Sequence, residues 1–392
     1  MKRLVVCCDG TWNKPDSETI TNVEKIARTI QTDPAASGRA YQLVYYVGGV
    51  GTGSYKADEV LGGAFGFGLF RNVVAAYRFL AQNYEPGDEI FIVGFSRGAY
   101  TARSLAGMIG RVGLLTRLSL VEERLPAAVA RYQQRKPRTG AFGESVEEFK
   151  HDHCHAAEVN FLGVFDTVGA LGVPGFMKFA PQFHNVRLGA GVLRARQALA
   201  IDETRLKFAP SLWEVSEPPT DGPAEDLRVK QVWFEGAHSD VGGGYAETGL
   251  SDTALLWMAR EAHAAGLVFD VPLLNHYANS GHDPIRHNPL NLLYRADNLV
   301  LRGKSSLGIG KDAGAFIGGR RRLTTERAIS VRVASSAVNH FQEGGYEPAN
   351  LLALADATQG FNGIVEPVDA LPEAGVDLTA LGSPPVQVDP AP

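Results

Sequence analysis

Cysteine is scarce in this chain. Three occur in 392 residues, Cys7, Cys8 and Cys154, which leaves little room for disulfide or thiolate–metal chemistry. Cys7 and Cys8 are neighbours in a strand-like run, so their side chains point to opposite faces and make poor disulfide partners. No C-x-x-C or similar spacing offers a zinc site, and the pattern fits synthesis in a reducing, cytosolic setting. Long apolar runs are also missing. Nothing approaches the ~18 apolar residues of a membrane span. The apolar stretch after Lys2 and Arg3 stops at Asp9, too soon for a signal-peptide core. A cytoplasmic protein as synthesised is therefore expected, with export by a signal-independent route left open. Excess positive charge is lacking too. The formal net charge of −5 argues against a general nucleic-acid binder and gives no electrostatic pull toward anionic membranes.

What is present is a globular composition. Apolar residues make up 45% and charged residues 21%, enough for a large core. One stretch organises the rest: EIFIVGFSRGAYTARSLAGMIG, residues 89–110. Residues 90–93 read as a buried strand, and 99–109 carry small and apolar residues at helical spacing. Between them lies Gly94-Phe95-Ser96-Arg97-Gly98. Strand, G-x-S-x-G and helix together are the context of a nucleophile elbow. The tight turn strains the serine, and the flanking glycines let strand and helix approach without Cβ clashes. An ordinary glycine-flanked turn is the plainer alternative.

The first 110 residues alternate strand and helix. Strands are expected at 4–8, 42–47 and 90–93, with helices at 22–31 and 70–82. That order predicts a parallel sheet with right-handed crossovers and chemistry at the carboxyl ends of the strands. Further on, helices are expected at 118–134, 189–202 and 251–265, and strands at 159–165, 229–234 and 329–334. Ser145-x-x-Glu148 reads as a capping box. The expected organisation is one α/β-hydrolase-type catalytic domain over 1–365, with insertions at about 115–157 and 171–228. Residues 366–392, rich in proline and acids, are expected to be a disordered tail.

A serine nucleophile needs a base and an acid that orients it. Three strand ends offer Ser96, Asp166 and His238 in the order Ser, Asp, His found in α/β-hydrolases. Asp240 and Asp202 compete for the place of the acid. The loop Asp9-Gly10-Thr11 follows the first strand. Backbone N–H groups of Gly10 or Thr11, with that of Arg97, would form the oxyanion hole. The apolar segment 171–181 holds Phe176 and Phe179 and is expected to line an acyl groove; a core plug is the alternative. The glycine-rich run 48–54 lacks the Gly-Lys-Ser/Thr ending of a P-loop, so a nucleotide site there is the lesser reading. The arginine clusters at 131–138 and 320–322 read as solvated loops, or as contacts to phosphate headgroups. No metal or cofactor is needed.

Several motifs together resemble one family: VCCDGTWN at the start, FSRGAYTAR around Ser96, GVFDTVGALG around Asp166, ALAIDETR, and WFEGAHSDVGGGYAE around His238. They are similar to the α/β-hydrolase family typified by the catalytic domain of type VI secretion phospholipase effectors of the Tle class. The resemblance covers residues 2–258 and, less closely, YEPANL at 346–351. It implies an ester hydrolase carried by Ser96, Asp166 and His238, with phospholipid as substrate. With it come expectations of a peripheral membrane contact and of a cognate immunity or secretion partner. A histidine expected near 335–338 is missing, and the next is His340. A non-catalytic binding module on the same fold, or an esterase acting on other esters, are the alternatives.

Overall fold

The computed structural model describes residues 1–10, 18–37, 40–49, 62–133, 145–168, 187–217, 225–278, 285–290, 298, 315–317, 319–324 and 327–368. Thr11, Phe176, Phe179, the segment 171–181 and most of the glycine-rich run 48–54 lie outside the described residues.

Eight strands form the central sheet: β1 (Lys2–Cys8), β2 (Tyr41–Val47), β3 (Glu89–Phe95), β4 (Phe161–Phe165), β5 (Ala195–Ala200), β6 (Val229–Phe234), β7 (Val331–Ala334) and β8 (Val365–Glu366). Their spatial order is β8-β7-β6-β5-β4-β3-β1-β2, and every neighbouring pair is parallel. Parallel strands need helical crossovers, which cover both faces and make the strands apolar throughout. β1 and β3 show the result. Leu4, Val6, Cys8, Ile90 and Ile92 enter one core beneath α2 (Gly62–Asn83) and α3 (Arg97–Val112). Val5, Cys7, Phe91 and Val93 enter the other, with Val23 and Ile26 of α1 (Asn22–Thr29). Cys7 and Cys8 therefore sit in different cores, both buried. Burial pushes both thiols up, Cys8 to about 12, so they stay protonated and unreactive.

Three expectations change. Residues 189–202 contain no described helix. ARQALA is β5, buried at every position. Its residues favour helices in isolation, but the gap between β4 and β6 selects an extended segment, and tertiary context overrides propensity. The polar members are fully partnered. Gln197 accepts from Thr167 Oγ1 (2.8 Å) and donates to the Ser211 carbonyl (3.0 Å), and Arg196 pairs with Glu261. The expected insertion 171–228 thus contributes a central strand. The single helix expected at 118–134 is two, α4 (Arg117–Val121) and α5 (Leu125–Gln133), broken where Glu123 takes φ 58°. Residues 366–368, placed in the expected tail, are described, while 369–392 lie outside the described residues. Glu366 is in β8, accepts Lys230 Nζ at 2.6 Å, and is buried. The capping box is present: Ser145 accepts the Glu148 N–H at the start of α6 (Val146–His153).

Among the described residues, no helix is long and apolar enough to cross a membrane.

The tightest packing lies at the β3–α3 turn. A Cβ added to Gly94 would come 2.6 Å from the Gly98 carbonyl oxygen, and one added to Gly98 only 2.1 Å from the Cys8 oxygen. Both contacts are with backbone, which cannot swing aside. Gly98→Ala should therefore force the end of β1 away from α3. We expect a loss of about 2 kcal/mol or more in chemical denaturation, the range of core overpacking. Unchanged stability would show that the contact is not as tight as described.

Candidate active site

Ser96, Asp166 and His238 follow β3, β4 and β6 and meet at the carboxyl edge of the sheet. Ser96 has φ 57° and ψ −120°, a strained backbone for a non-glycine residue. Its N–H donates to the Phe165 carbonyl at 3.0 Å, which ties the turn to the end of β4. Asp166, the next residue, is also left-handed, with φ 40°. His238 opens α7 (His238–Gly242). Asn22, first residue of α1, donates through Nδ2 to the Val241 and Ser251 carbonyls, so the start of α1 holds α7 in place.

The Ser96 Oγ lies 2.8 Å from His238 Nε2, and His238 Nδ1 lies 2.6 Å from Asp166 Oδ2. A carboxylate only accepts, so Nδ1 carries the proton and donates. Nε2 of the neutral ring then accepts the Ser96 O–H. The imidazole is wedged between Phe95 and Phe208, whose ring centres lie 4.6 and 4.9 Å away.

Asp166 is fully buried and accepts four donors. Oδ1 receives Ala200 N–H (3.0 Å) and Arg321 Nη1 (2.6 Å); Oδ2 receives Arg321 Nη2 (3.0 Å) and His238 Nδ1. Burial alone would push this carboxyl up. The Arg321 charge and the His238 hydrogen bond outweigh it and hold it well below the usual carboxylate range. His238 is displaced downward. Burial dominates over the hydrogen bond and charge of Asp166, which act the other way.

The rival acids do other work. Asp240 accepts the Ala237 N–H (2.8 Å) and pairs with His287 Nδ1 (2.6 Å). Asp202 accepts the Gly236 N–H and the Tyr346 hydroxyl, both at 2.8 Å. Neither bonds the His238 ring. The Arg97 N–H begins α3, at the positive end of its dipole. The Gly10 N–H, expected as an oxyanion donor, donates to Asp9 Oδ1 at 2.6 Å. Asp9 is buried, and its donors include this N–H, Thr21 Oγ1 and the Tyr46 hydroxyl. No group of His, Cys, Asp and Glu able to hold a metal occurs among the described residues.

Sequence reasoning missed three residues around the site. Arg321 lay in a cluster read as solvated, yet it has no exposed surface. Glu203 accepts the His238 N–H at 3.4 Å and pairs with Arg205; both lie in the quoted ALAIDETR motif, the only signal available. His340, without an assigned role from the sequence, pairs through Nδ1 with Glu235 Oε2 at 2.6 Å.

Residues 2–261 match the family described as T6SS, phospholipase effector Tle1-like, catalytic domain. An uncharacterized protein of Saccharomyces cerevisiae (YEL023C) is 32% identical over 228 residues, covering 53% of this chain and 32% of that protein. The chain thus matches less than half the length of this curated relative. Among solved structures, an uncharacterized protein from Pseudomonas aeruginosa aligns at TM-score 0.40 and 19% identity, over 81% of this chain and 51% of that one. The Tle1 effector bound to the VgrG spike of the type VI secretion system aligns at TM-score 0.36 and 19% identity, over 63% of this chain and 52% of that one. With residues 2–261 of 392 matched, the chain belongs to the Tle1-like family of type VI secretion phospholipase effectors, through that family's catalytic domain.

Proposed function

We propose that this chain is a serine carboxylester hydrolase of the phospholipase A type, working through an acyl-enzyme on Ser96. The observation that carries the reading is the Ser96 Oγ to His238 Nε2 contact of 2.8 Å on a strained strand-to-helix turn. His238 takes the Ser96 proton as Oγ attacks the acyl carbon, then returns it to the departing alcohol. Water, deprotonated by the same Nε2, releases the fatty acid and regenerates Ser96. Asp166 fixes the tautomer and stabilises the imidazolium. The Arg97 N–H, at the N-terminus of α3, is one donor to the oxyanion, and a second is left to the loop after β1. Phospholipid as substrate rests on family membership. An effector role rests on it alone.

The central test is Ser96→Ala. Hydrolysis of short esters and of phospholipid vesicles should fall by roughly 10⁴–10⁶, and fluorophosphonate labelling should vanish while the fold survives. A near-wild-type rate in the purified variant would rule the mechanism out. Phospholipid turnover with no action on simple esters, or the reverse, fixes the substrate class.

The acid assignment has its own test. Asp166→Asn should lower kcat by about 10⁴ by leaving His238 in the wrong tautomer. Asp240→Asn and Asp202→Asn should keep most of the activity. The opposite ranking would move the acid to one of those residues.

The pH profile follows from His238. Only the neutral ring can accept the Ser96 proton, and burial keeps it neutral further into acid than an exposed histidine. The acid limb of kcat/KM should therefore fall below the ordinary histidine value of about 6.5. A limb at or above that value would contradict the burial argument.

A further inference from the structure

Arg321 lies beyond the region that matches the family, on a short antiparallel hairpin formed by Phe316–Ile317 and Arg320–Arg321. Its side chain runs inward from there. Both terminal nitrogens meet the Asp166 carboxylate as a fork, and each also donates to a backbone carbonyl: Nη1 to Ala200 (2.9 Å) and Nη2 to Phe208 (2.5 Å). The neighbours Arg320 and Arg322 reach solvent, while Arg321 has no exposed surface.

We propose that Arg321 is a positioning residue of the hydrolytic site: it locks the orientation of Asp166 and neutralises it enough that His238 stays a free base. The proposal rests on the reading of Ser96 as nucleophile. Two physical effects carry it. The planar fork fills one lone-pair site on each oxygen, so the carboxylate cannot rotate, and Oδ2 stays aimed at Nδ1. The positive charge also competes with a proton on the His238–Asp166 pair. Without it, a buried carboxylate facing an imidazole would bind that proton at higher pH, and Ser96 would lose its base. The other charged groups facing the pair come from the segment after β5 and from the stretch following His238. Glu203 accepts the His238 N–H and is itself paired with Arg205, and Asp240 is held by His287. None of these touches the Asp166 carboxylate.

The placement of Arg321 is itself built in. The Asn350 side chain donates to the Arg321 carbonyl (3.2 Å) and to the Ile201 carbonyl (3.0 Å). It thereby clamps the hairpin to the chain just after β5. The Trp233 indole donates to the Leu323 carbonyl at 2.6 Å. Asn350 belongs to the YEPANL motif, whose Tyr346 bonds Asp202. The C-terminal part of the chain thus delivers a charge to an acid set on β4.

The test uses the full chain and two substitutions. Arg321→Gln removes the charge and keeps one donor; Arg321→Lys keeps the charge and removes the fork. Rates of fluorophosphonate labelling and of short-ester hydrolysis are measured against pH, with the folded fraction checked by circular dichroism. Arg321→Gln should move the acid limb of kcat/KM up by about one pH unit, the scale of one nearby charge at intermediate dielectric. Arg321→Lys should leave the limb in place and slow the reaction, by roughly 10²-fold if the carboxylate shifts by about 1 Å. A merely structural arginine predicts something else: less folded protein, but a folded fraction with wild-type rate and wild-type limb. That result overturns the proposal. Should the Gln variant fail to fold, the Lys variant decides, and a wild-type rate in it is equally fatal. Wild-type protein that does not label at Ser96 would instead remove the underlying reading, so the two failures are distinct.

Discussion

A carboxylate cut off from water stays charged only if its lone pairs are filled by donors and its charge is met. Asp166 meets that condition with four donors drawn from three other parts of the chain: the Ala200 N–H at the end of β5, the His238 ring after β6, and two nitrogens of Arg321 from the late hairpin. Each partner constrains where its own element lies. The order of the central strands, the docking of the hairpin and the tilt of the imidazole are linked through this one group. A buried ion pair of this kind adds little net stability, because desolvation offsets most of the attraction. Breaking it is different. Removing the Asp166 charge would strand a guanidinium with no exposed surface, a loss of about 3–5 kcal/mol for buried pairs in general.

The same burial sets the response to acid. His238 has its pKa depressed in the fold, so the unfolded chain takes up a proton at higher pH than the native one. By linkage, stability falls as pH drops below the unfolded histidine value. Asp166 is also depressed, so its stabilising contribution is present above the unfolded carboxylate value and is lost only in stronger acid, through its folded pKa. The two effects have the same sign and come in sequence, histidine first.

Much of the candidate site's geometry was legible because its turns are local in sequence. The elbow is spelled out by two glycines, each forced by a backbone contact under 3 Å from the Cβ that is not there. Asp166 and His238 were readable as strand-end residues because parallel strands put every carboxyl end on one edge. What failed was non-local. ARQALA reads as helix until the slot between β4 and β6 is known. Arg321 reads as solvated between two arginines that reach solvent; only the topology shows that its side chain turns into the core.

The boundary of the family match sharpens this last point. The match ends at residue 261, just before the end of the helix Gly249–His263, and takes in all three of Ser96, Asp166 and His238. Yet the sheet does not end there. β7 pairs with β6, and β8 with β7. A third core around Trp233, Val333, Leu351 and Phe361 joins matched and unmatched parts of the chain. The counter-charge to Asp166 comes from the unmatched part. Ser96, Asp166 and His238 and the counter-charge to Asp166 are therefore separated along the chain but joined in the fold. A chain with the first and without the second would face a choice imposed by electrostatics: admit water to Asp166, protonate it, or supply a positive group from elsewhere.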